Sequence, residues 1–290
     1  MKKIIIVIPV FNDWESLQKL LTEININIKN FKEFIFDCLV INDASTINRP
    51  KIFKPKNIKS LKVINMKKNQ GHARCNAFAL RFISQNESFD NLILMDGDGE
   101  DRPIEIKSLV ETIINNPNNS VVAKRIKRSE GPFFQFLYKI HKMITFLFTG
   151  NRINFGNYSC LTKEDVKVLS TKASLWSSYS GTLKKNIKIL NEVNSIRGLR
   201  YFGPSQMSLY KLLIHSFSII AVFKYQVLLR CIILLFFFKY LNNYLGVISS
   251  IFQFFIVIFC GIIFLVSLRE KESELINSQN NLKDVEEVLQ

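Results

Sequence analysis

Residues 92–101 read Leu-Ile-Leu-Met-Asp-Gly-Asp-Gly-Glu-Asp, so an apolar run of strand length leads directly into alternating carboxylates. If the extended geometry continues, Asp96, Asp98 and Glu100 project to one side, because successive side chains of a strand point to opposite faces. Three such carboxylates repel one another unless a cation lies among them, and hard oxygen donors suit Mg²⁺ or Mn²⁺. Gly-Asp-Gly is also ordinary turn chemistry. The stretch therefore predicts either a divalent-metal site or an acidic turn after a buried strand.

Apolar runs of strand length alternate with amphipathic segments before this stretch and after it. The predicted strands are residues 3–10, 34–41, 61–66, 91–95 and 120–123, and the predicted helices are residues 14–28, 73–83 and 104–114. This alternation predicts an α/β domain with a mostly parallel sheet and helices on both faces. Ligands of such sheets bind beyond the carboxyl ends of the strands. The polar loops at those ends are expected to form one site: residues 9–13, 42–45, 69–71 and 96–100.

The composition limits the compartment and the partners. Of the 290 residues, 48% are hydrophobic, and the net charge is +15. The five cysteines are scattered without a CxxC pair, which fits a reducing cytosol and predicts neither a disulfide framework nor a zinc site. No secretory signal is expected, because the first apolar run meets Pro9 without a cleavage site. Lys and Arg concentrate beside apolar segments, which favours anionic lipid or phosphorylated substrates over nucleic acid.

The last third of the chain predicts a membrane anchor. Residues 245–268 carry no charge and are long enough to cross about 30 Å of hydrocarbon. Residues 227–243 form a weaker span, interrupted by Arg230 and Lys239 near its ends, where long side chains can reach the interface. Residues 132–148 and 207–223 are apolar helices with basic positions and are expected to lie at the membrane surface. A membrane hairpin with two interfacial helices follows from these patterns.

The basic flanks predict the orientation of this hairpin. Lys211 and Lys224 precede it, Arg269 and Lys271 follow it, and the short connector carries no Lys or Arg. The positive-inside rule then places both termini in the cytoplasm. The expected units are a cytoplasmic domain (1–206), an interfacial amphipathic segment (207–226), two transmembrane helices (227–268) and a polar cytoplasmic tail (269–290). Leucines at 275, 282 and 289 are spaced by seven and hint at helix pairing, so a homo-oligomer is possible.

Four loop segments carry a further pattern. They read Ile-Pro-Val-Phe-Asn-Asp at 8–13, Ile-Asn-Asp-Ala-Ser-Thr at 41–46, Asn-x-Gly-x-Ala-x-x-Asn at 69–76 and Met-Asp-Gly-Asp-Gly-Glu-Asp-x-Pro at 95–103. Together they resemble the family 2 glycosyltransferases over most of residues 3–240. The segment 203–212 and the C-terminal layout resemble the polyprenyl-phosphate branch of that family, whose members are similar to dolichyl-phosphate mannose synthase. The resemblance implies a Rossmann-like nucleotide-diphospho-sugar transferase domain that uses Mg²⁺ or Mn²⁺ and is anchored in the inner (cytoplasmic) membrane.

The same resemblance implies roles for single residues. The residues implied to bind the nucleotide are Pro9, Phe11 and Asp13 at its border, Asp43 at the base or ribose, and Asp96 at the diphosphate. Asp96 and Asp98 would form the DxD pair that meets the diphosphate and the metal, with Glu100 as a third metal ligand. Arg125 would grip an acceptor phosphate, with help from Lys139 or Lys142. Asp96, Asp98 and Arg125 are therefore the predicted catalytic residues.

The acceptor decides whether a general base is needed. The family often has an Asp where this chain has Asn157, and an amide cannot act as a base. A polyprenyl phosphate is already anionic and needs little base assistance, so it is the favoured acceptor. A hydroxyl of a lipid-linked saccharide is the alternative and would need Asp101 or Asp98 as a base. A catalytically inactive membrane scaffold is the third hypothesis.

The sequence assigns no single role to two further groups of residues. The histidines His72, His141 and His215 are unclustered and are expected mainly on helix surfaces. Arg197 and Arg200 lie just ahead of the membrane segments and suit either a substrate diphosphate or lipid headgroups.

Overall fold

The computed structural model describes residues 1–127, 132–204 and 208–289. Within these residues eight strands form one sheet. The strands are β1 Lys2–Val10, β2 Phe34–Asn42, β3 Ser60–Met66, β4 Asn91–Leu94, β5 Val121–Lys127, β6 Phe155–Thr162, β7 Asn191–Ile196 and β8 Leu282–Glu287. The helices are α1 Trp14–Ile28, α2 His72–Asn86, α3 Ile106–Asn115, α4 Pro132–Thr149, α5 Lys163–Leu169, α6 Tyr179–Asn186, α7 Leu209–Ala221, α8 Lys224–Leu245, α9 Val247–Ser267 and α10 Glu272–Ile276.

The strands lie in the order β7-β5-β6-β4-β1-β2-β3-β8. Strands β4, β1, β2 and β3 are parallel, while β6 and β8 run antiparallel to their neighbours. The predicted fold class, a mostly parallel α/β sheet followed by two apolar helices, is confirmed.

Strand β1 is buried on both faces because helices cover the sheet on each side. Ile4, Ile6 and Ile8 pack with α1 and α3, whereas Ile5 and Val7 pack with α2 on the opposite face. All five side chains are at most 2% exposed. Alternate residues of β1 therefore pack into the hydrophobic layers on the two opposite faces of the sheet. The continuous Ile and Val run in the sequence is explained by this double burial.

The carboxyl ends of the parallel strands meet at one edge of the sheet. The register pairs Val10 with Asn42 and Val7 with Leu94, so the loops after β1, β2 and β4 leave the sheet side by side. The amide of Asp43 donates to the Val10 carbonyl at 2.9 Å. The loops that the sequence analysis grouped therefore share this edge.

Two parts of the sheet differ from the sequence prediction. No strand was predicted after residue 123, but β6 lies between β4 and β5, in the middle of the sheet. Polar Asn157 and Ser159 interrupt its apolar pattern, although Tyr158, Cys160 and Leu161 are at most 2% exposed. Strand β7, which the sequence analysis did not predict, pairs parallel to β5 at the edge.

The segment after the apolar helices returns to the sheet. The heptad interpretation of Leu275, Leu282 and Leu289 is wrong: Leu275 is buried in α10, Leu282 begins β8, and Leu289 is 79% exposed. Strand β8 pairs antiparallel to β3 and covers the edge of the sheet. The predicted unit boundary between residues 206 and 207, and part of the segment 203–212, lie outside the described residues.

Helices α8 and α9 are each long and apolar enough to cross a membrane, and most of their surface is not buried by protein. Gly246, at φ 53°, makes the connection between them. At the base of this pair, Lys224 Nζ lies 2.8 Å from Glu270 Oε2. Arg230 Nη1 donates to the carbonyl of Leu147 at 2.8 Å and so satisfies an acceptor at the C-terminal end of α4. These contacts join the apolar pair to α4 and to the chain that follows α9.

Candidate active site

The acidic stretch forms a tight turn directly after β4. The strand ends at Leu94, so the extended geometry that would align the carboxylates does not continue past Met95. The amide of Asp96 donates to Asp101 Oδ2 at 3.0 Å, and the amide of Glu100 donates to Asp98 Oδ1 at 3.0 Å. These bonds close the turn on itself and send its carboxylates toward different partners.

Two arginines neutralise the far side of this turn. Arg200 donates to Asp98 Oδ2 from Nη1 and to Asp13 Oδ2 from Nη2, both at 2.7 Å. Arg197 forms an ion pair with Glu100. Both arginine side chains are less than one-fifth exposed, at 18% for Arg200 and 15% for Arg197. The site is therefore a partly desolvated cluster of opposite charges, in which each pairing is stronger than at an open surface.

The backbone around these arginines, residues 197–201, packs closely on the acidic turn and is called the arginine segment below. The amide of Gly198 donates to the Glu100 carbonyl at 2.8 Å, and the amide of Tyr201 donates to the Asp98 carbonyl at 2.9 Å. A Cβ on Gly99, whose φ is +88°, would lie 2.6 Å from the Tyr201 ring. The second glycine of Gly-Asp-Gly is thus required by both backbone conformation and close approach.

Asp96 faces the opposite side of the turn, toward α2 and β6. His72 Nε2 and Asn157 Nδ2 each lie 3.2 Å from Asp96 Oδ1, and these two nitrogens are 2.6 Å apart. Burial acts to raise the pKa of Asp96, but the charge and hydrogen bond of His72, with Arg197 and Arg125 further away, hold that pKa well below its usual range. Asp96 is therefore ionised at neutral pH.

Asp101 supports the turn from beneath. It is 4% exposed, and its Oδ1 lies 4.0 Å from Arg125 Nη2. Burial, and then the charge of Asp96, raise the pKa of Asp101 to about 7. Such burial favours a supporting role over contact with an acceptor hydroxyl.

Arg125 lies on β5 next to β6, with its side chain 17% exposed. A Cβ on Gly156 would come within 2.5 Å of Arg125 Nη2, so the missing side chain of that glycine leaves room for the guanidinium. The guanidinium thereby reaches the acidic turn at Asp101.

The loops after β1 and β2 are joined by Asn12. The side-chain oxygen of Asn12 accepts from the backbone amides of Thr46 at 2.8 Å and Ile47 at 3.1 Å. The backbone amide of Asn12 donates to Ser45 Oγ at 2.9 Å. Asn12 and Ala44 both have φ of 55°, a left-handed conformation that such local bonds can hold. These hydrogen bonds therefore join the two loops into one continuous surface at the edge of the sheet.

Asp43 connects this surface to the loop before α2. It is 3% exposed, and its two carboxylate oxygens accept from the amides of Gln70 at 2.7 Å and Gly71 at 2.8 Å. Its hydrogen bonds in the structure are thus to the backbone of Gln70 and Gly71 and to the Cys75 side chain, and a direct role at the base or ribose stays a prediction.

The structure brings most of the predicted site residues to one edge of the sheet. These residues are Pro9, Phe11, Asp13, Asp43, Asp96, Asp98, Glu100 and Arg125. Phe11 is 41% exposed there, as a side chain available to a flat ligand would be. Lys139 and Lys142 lie instead on α4, which packs against α7 and α8. Lys142 Nζ lies 4.9 Å from the centre of the Tyr138 ring.

The fit of a divalent cation depends on the carboxylates of the turn. Among the described residues no three acidic, histidine or cysteine side chains are gathered closely enough to hold a metal ion. The donor chemistry of Asp96, Asp98 and Glu100 does suit Mg²⁺ or Mn²⁺. Because Asp98 and Glu100 pair with arginines, metal binding requires them to exchange these partners.

Three site residues were not assigned by the sequence analysis. His72 was expected on a helix surface but contacts Asp96 through its ring. Arg197 and Arg200 were left open between diphosphate and headgroups, and they lie on the acidic turn. The signal that existed was their spacing, Arg-Gly-Leu-Arg-Tyr at 197–201, in which a glycine permits close packing.

Comparison with known proteins gives a family match and a set of similar folds. The model of Glycosyl transferase family 2 matches residues 5–175. An uncharacterized protein of Methanocaldococcus jannaschii is 26% identical over 124 residues, which are 42% of this chain and 51% of that protein. The chain thus spans about half the length of this curated relative.

Similar folds occur in crystal structures of glucosyl-3-phosphoglycerate synthase from Mycobacterium tuberculosis. One, a complex with Mn²⁺, UDP-glucose and phosphoglyceric acid, has a TM-score of 0.52 at 14% identity and covers 78% of this chain and 80% of that one. Another, with Mn²⁺, UDP and phosphoglyceric acid, has a TM-score of 0.52 at 13% identity, covering 78% of both chains. At such identity the likeness establishes a shared fold.

Proposed function

The chain belongs to Glycosyl transferase family 2, and on that premise we propose that it transfers a sugar from a nucleotide-diphosphate sugar to a lipid acceptor at a membrane. The observation that carries the proposal is the acidic turn after β4, where Asp98 is paired with Arg200 at 2.7 Å at the edge that also holds Asp13 and Arg125. Carboxylates and arginines in one shielded cluster are the groups that a diphosphate and its cation need.

The donor would bind across the acidic turn and the joined loops after β1 and β2. Pro9, Phe11 and Asp13 would border the nucleotide, and Asp43 would act at the base or ribose, in part through the loop that it holds. Arg197 and Arg200 would pair with diphosphate oxygens after releasing their carboxylates. This exchange keeps the charges matched in a partly desolvated site.

Asp96, Asp98 and Glu100 would hold Mg²⁺ or Mn²⁺ beside the diphosphate. When bound, the cation would stabilise the charge that develops on the departing nucleoside diphosphate. His72 lowers the pKa of Asp96, which favours the anionic carboxylate that a cation needs, and His72 and Asn157 lie beside that carboxylate. The Mn²⁺ in the two similar complexes of the mycobacterial synthase supports this choice of cation.

The favoured acceptor is a polyprenyl phosphate. Arg125 would present a cation beside the turn, next to Asp101, to the phosphate of the acceptor. Asn157 supplies no base, and Asp101 is buried, so a nucleophile that is already anionic suits the site best. Lys139 and Lys142 would meet the phosphate or its neighbours at the membrane. The phosphoglyceric acid bound in the complexes of the mycobacterial synthase is likewise a molecule that carries a phosphate.

The membrane placement follows from the path of the chain. Strand β8 follows α9 and pairs with β3, so the chain before α8 and the chain after α9 belong to one sheet. If α8 and α9 cross a membrane, they must therefore cross it as a hairpin with both ends on one side. The basic flanks favour the cytoplasm for that side. We infer an inner-membrane enzyme with its catalytic domain and both termini in the cytoplasm.

Purified full-length protein in detergent tests the proposal. It is incubated with Mn²⁺, a panel of nucleotide sugars, and either a polyprenyl phosphate or a lipid-linked saccharide. A labelled lipid product formed from the polyprenyl phosphate supports the proposal. A product formed only from the lipid-linked saccharide shows that the acceptor is a hydroxyl group, as in the alternative. Absence of any turnover or nucleotide-sugar hydrolysis leaves the inactive scaffold as the function.

A further inference from the structure

We propose that strand β8, the segment after the apolar hairpin, positions the nucleotide-binding loop through a directed chain of side-chain amides. This inference rests on the proposed function, because it concerns the loop that would border the donor nucleotide. The chain runs from two carboxylates on β8, through one asparagine on β3 and one on β2, to the backbone of residues 43–46.

The first link joins β8 to β3. Asn65 Nδ2 lies 2.5 Å from Asp284 Oδ1 and 2.6 Å from Glu286 Oε1. Ionised carboxylates only accept hydrogen bonds, whereas an amide nitrogen offers two hydrogens. One hydrogen for each carboxylate fixes which end of the Asn65 amide faces β8.

The second link follows from the first. Since its nitrogen is committed to β8, Asn65 must present Oδ1 to the neighbouring strand. There it accepts from Asn42 Nδ2 at 2.8 Å. The amide of Asn42 is thereby oriented as well, with its oxygen turned away from β3.

The third link reaches the loop. Asn42 Oδ1 accepts from the backbone amide of Ser45 at 2.9 Å, across Ala44 with its left-handed φ of 55°. Ser45 Oγ in turn accepts from the backbone amide of Asn12. A reversed Asn42 amide would direct two hydrogens at a backbone N–H, so the loop conformation depends on the polarity that β8 imposes.

A second contact fastens β8 to the same region. Arg49, just beyond the loop, forms an ion pair with Glu286. By contrast, Glu287 contacts Ser60 at the opposite end of β3, with 3.2 Å between the oxygens. The end of β8 that carries Asp284 therefore serves the site, and the other end offers a matched control.

The polarity argument allows a repair experiment with full-length protein in detergent. Asn65→Asp loses both donors and repels Asp284 and Glu286. The triple variant Asn65→Asp, Asp284→Asn, Glu286→Gln reverses the donors and still offers Asn42 an acceptor. Dissociation constants of UDP and of GDP are measured with Mn²⁺, alongside hydrogen exchange of the peptide that contains residues 42–47. Glu287→Ala is the control.

We expect Asn65→Asp to weaken the nucleotide that the wild type binds by about tenfold, to raise the donor KM more than it lowers kcat, and to speed exchange of the loop. The triple variant should return to within about threefold of the wild type, and Glu287→Ala should match the wild type. Unchanged loop exchange in Asn65→Asp overturns the proposal. So does faster exchange with unchanged nucleotide affinity, or a triple variant no better than Asn65→Asp. A wild type that binds neither nucleotide overturns the donor assignment and the coupling, while loop exchange still reports on the amide chain.

Discussion

Arg200 Nη1 lies 2.7 Å from Asp98 Oδ2, although 102 residues separate the two in the chain. Asp98 belongs to the turn after a central strand, and Arg200 to the segment that leads from β7 toward the apolar helices. Their pairing neutralises a carboxylate that the proposed cation would use. The same contact therefore links the proposed donor site to the part of the chain that leads to the apolar helices.

Asp98→Asn should lower transfer at least ~100-fold while the protein still folds, because it removes one oxygen charge from the proposed metal and diphosphate site. Initial rates with Mn²⁺ and circular dichroism measure the two properties. Glu111→Gln, at an exposed position of α3, is the matched control. Undiminished wild-type turnover in excess chelator would contradict the metal assignment.

Arg200→Ala should bind Mn²⁺ more tightly in the absence of nucleotide, by roughly fivefold, since a competing cation leaves Asp98. Transfer should nevertheless slow, because the proposed diphosphate partner is lost. Mn²⁺ titration followed by electron paramagnetic resonance measures the affinity, with Arg152→Ala as a control for charge alone. Weaker Mn²⁺ binding in Arg200→Ala would show that the arginine does not compete for the carboxylate.

Arg125→Ala should raise the KM for polyprenyl phosphate by about tenfold or more, with the affinity for nucleotide sugar nearly unchanged. The reason is that Arg125, beside Asp101 of the turn, is the cation proposed to bind the acceptor phosphate. Steady-state kinetics with each substrate varied in turn separates the two effects. If the lipid-phosphate kinetics are unaffected, or only a neutral hydroxyl acceptor is used, the saccharide alternative replaces the phosphate.

Both termini should be cytoplasmic, because β8 and β3 belong to one sheet and so share a side, and the basic flanks favour the cytoplasm for that side. An Asn243→Cys variant, at an exposed position of the last turn of α8, should react with a membrane-impermeant maleimide added outside intact cells, and Lys271→Cys should react only after lysis. A reporter fused after residue 290 gives an independent measurement. Outside activity of that reporter would refute the cytoplasmic orientation.

His215→Phe should remove part of the acid sensitivity of the fold. Burial, and then the charges of His72 and Arg125, lower the pKa of His215 to about 4, against about 6.5 in an unfolded chain. The folded state thus resists protonation, and its stability is lost as pH falls from about 6.5 toward 4. Relative to the variant, the wild type should lose at least roughly 1 kcal/mol over that window. Thermal unfolding in detergent at several pH values measures the difference, and parallel profiles would contradict the assigned pKa.

Local patterns were sufficient for much of the fold. The Ile and Val run of β1, the polar loop that follows it, and the long uncharged span of α9 each depend on near neighbours in the chain. Their periodicity therefore predicted the α/β sheet, the edge that carries the site and the apolar helix pair. Strand β6 was hidden because Asn157 and Ser159, whose polar groups serve the site and its surroundings, interrupt the pattern that marks a buried strand.

The sequence by itself determined that carboxylates follow a buried strand at a sheet edge rich in polar loops, because strand length and alternation are local properties. Only the tertiary structure decided the partners of those carboxylates: Arg197 and Arg200 on one side, His72 on the other. It also decided that the polar tail becomes β8, since an edge strand gains its hydrogen bonds from β3, more than 200 residues earlier in the chain. Pairing between distant segments leaves no periodic signal in the sequence. The carboxylates of the turn and the arginines that neutralise them are paired in this way.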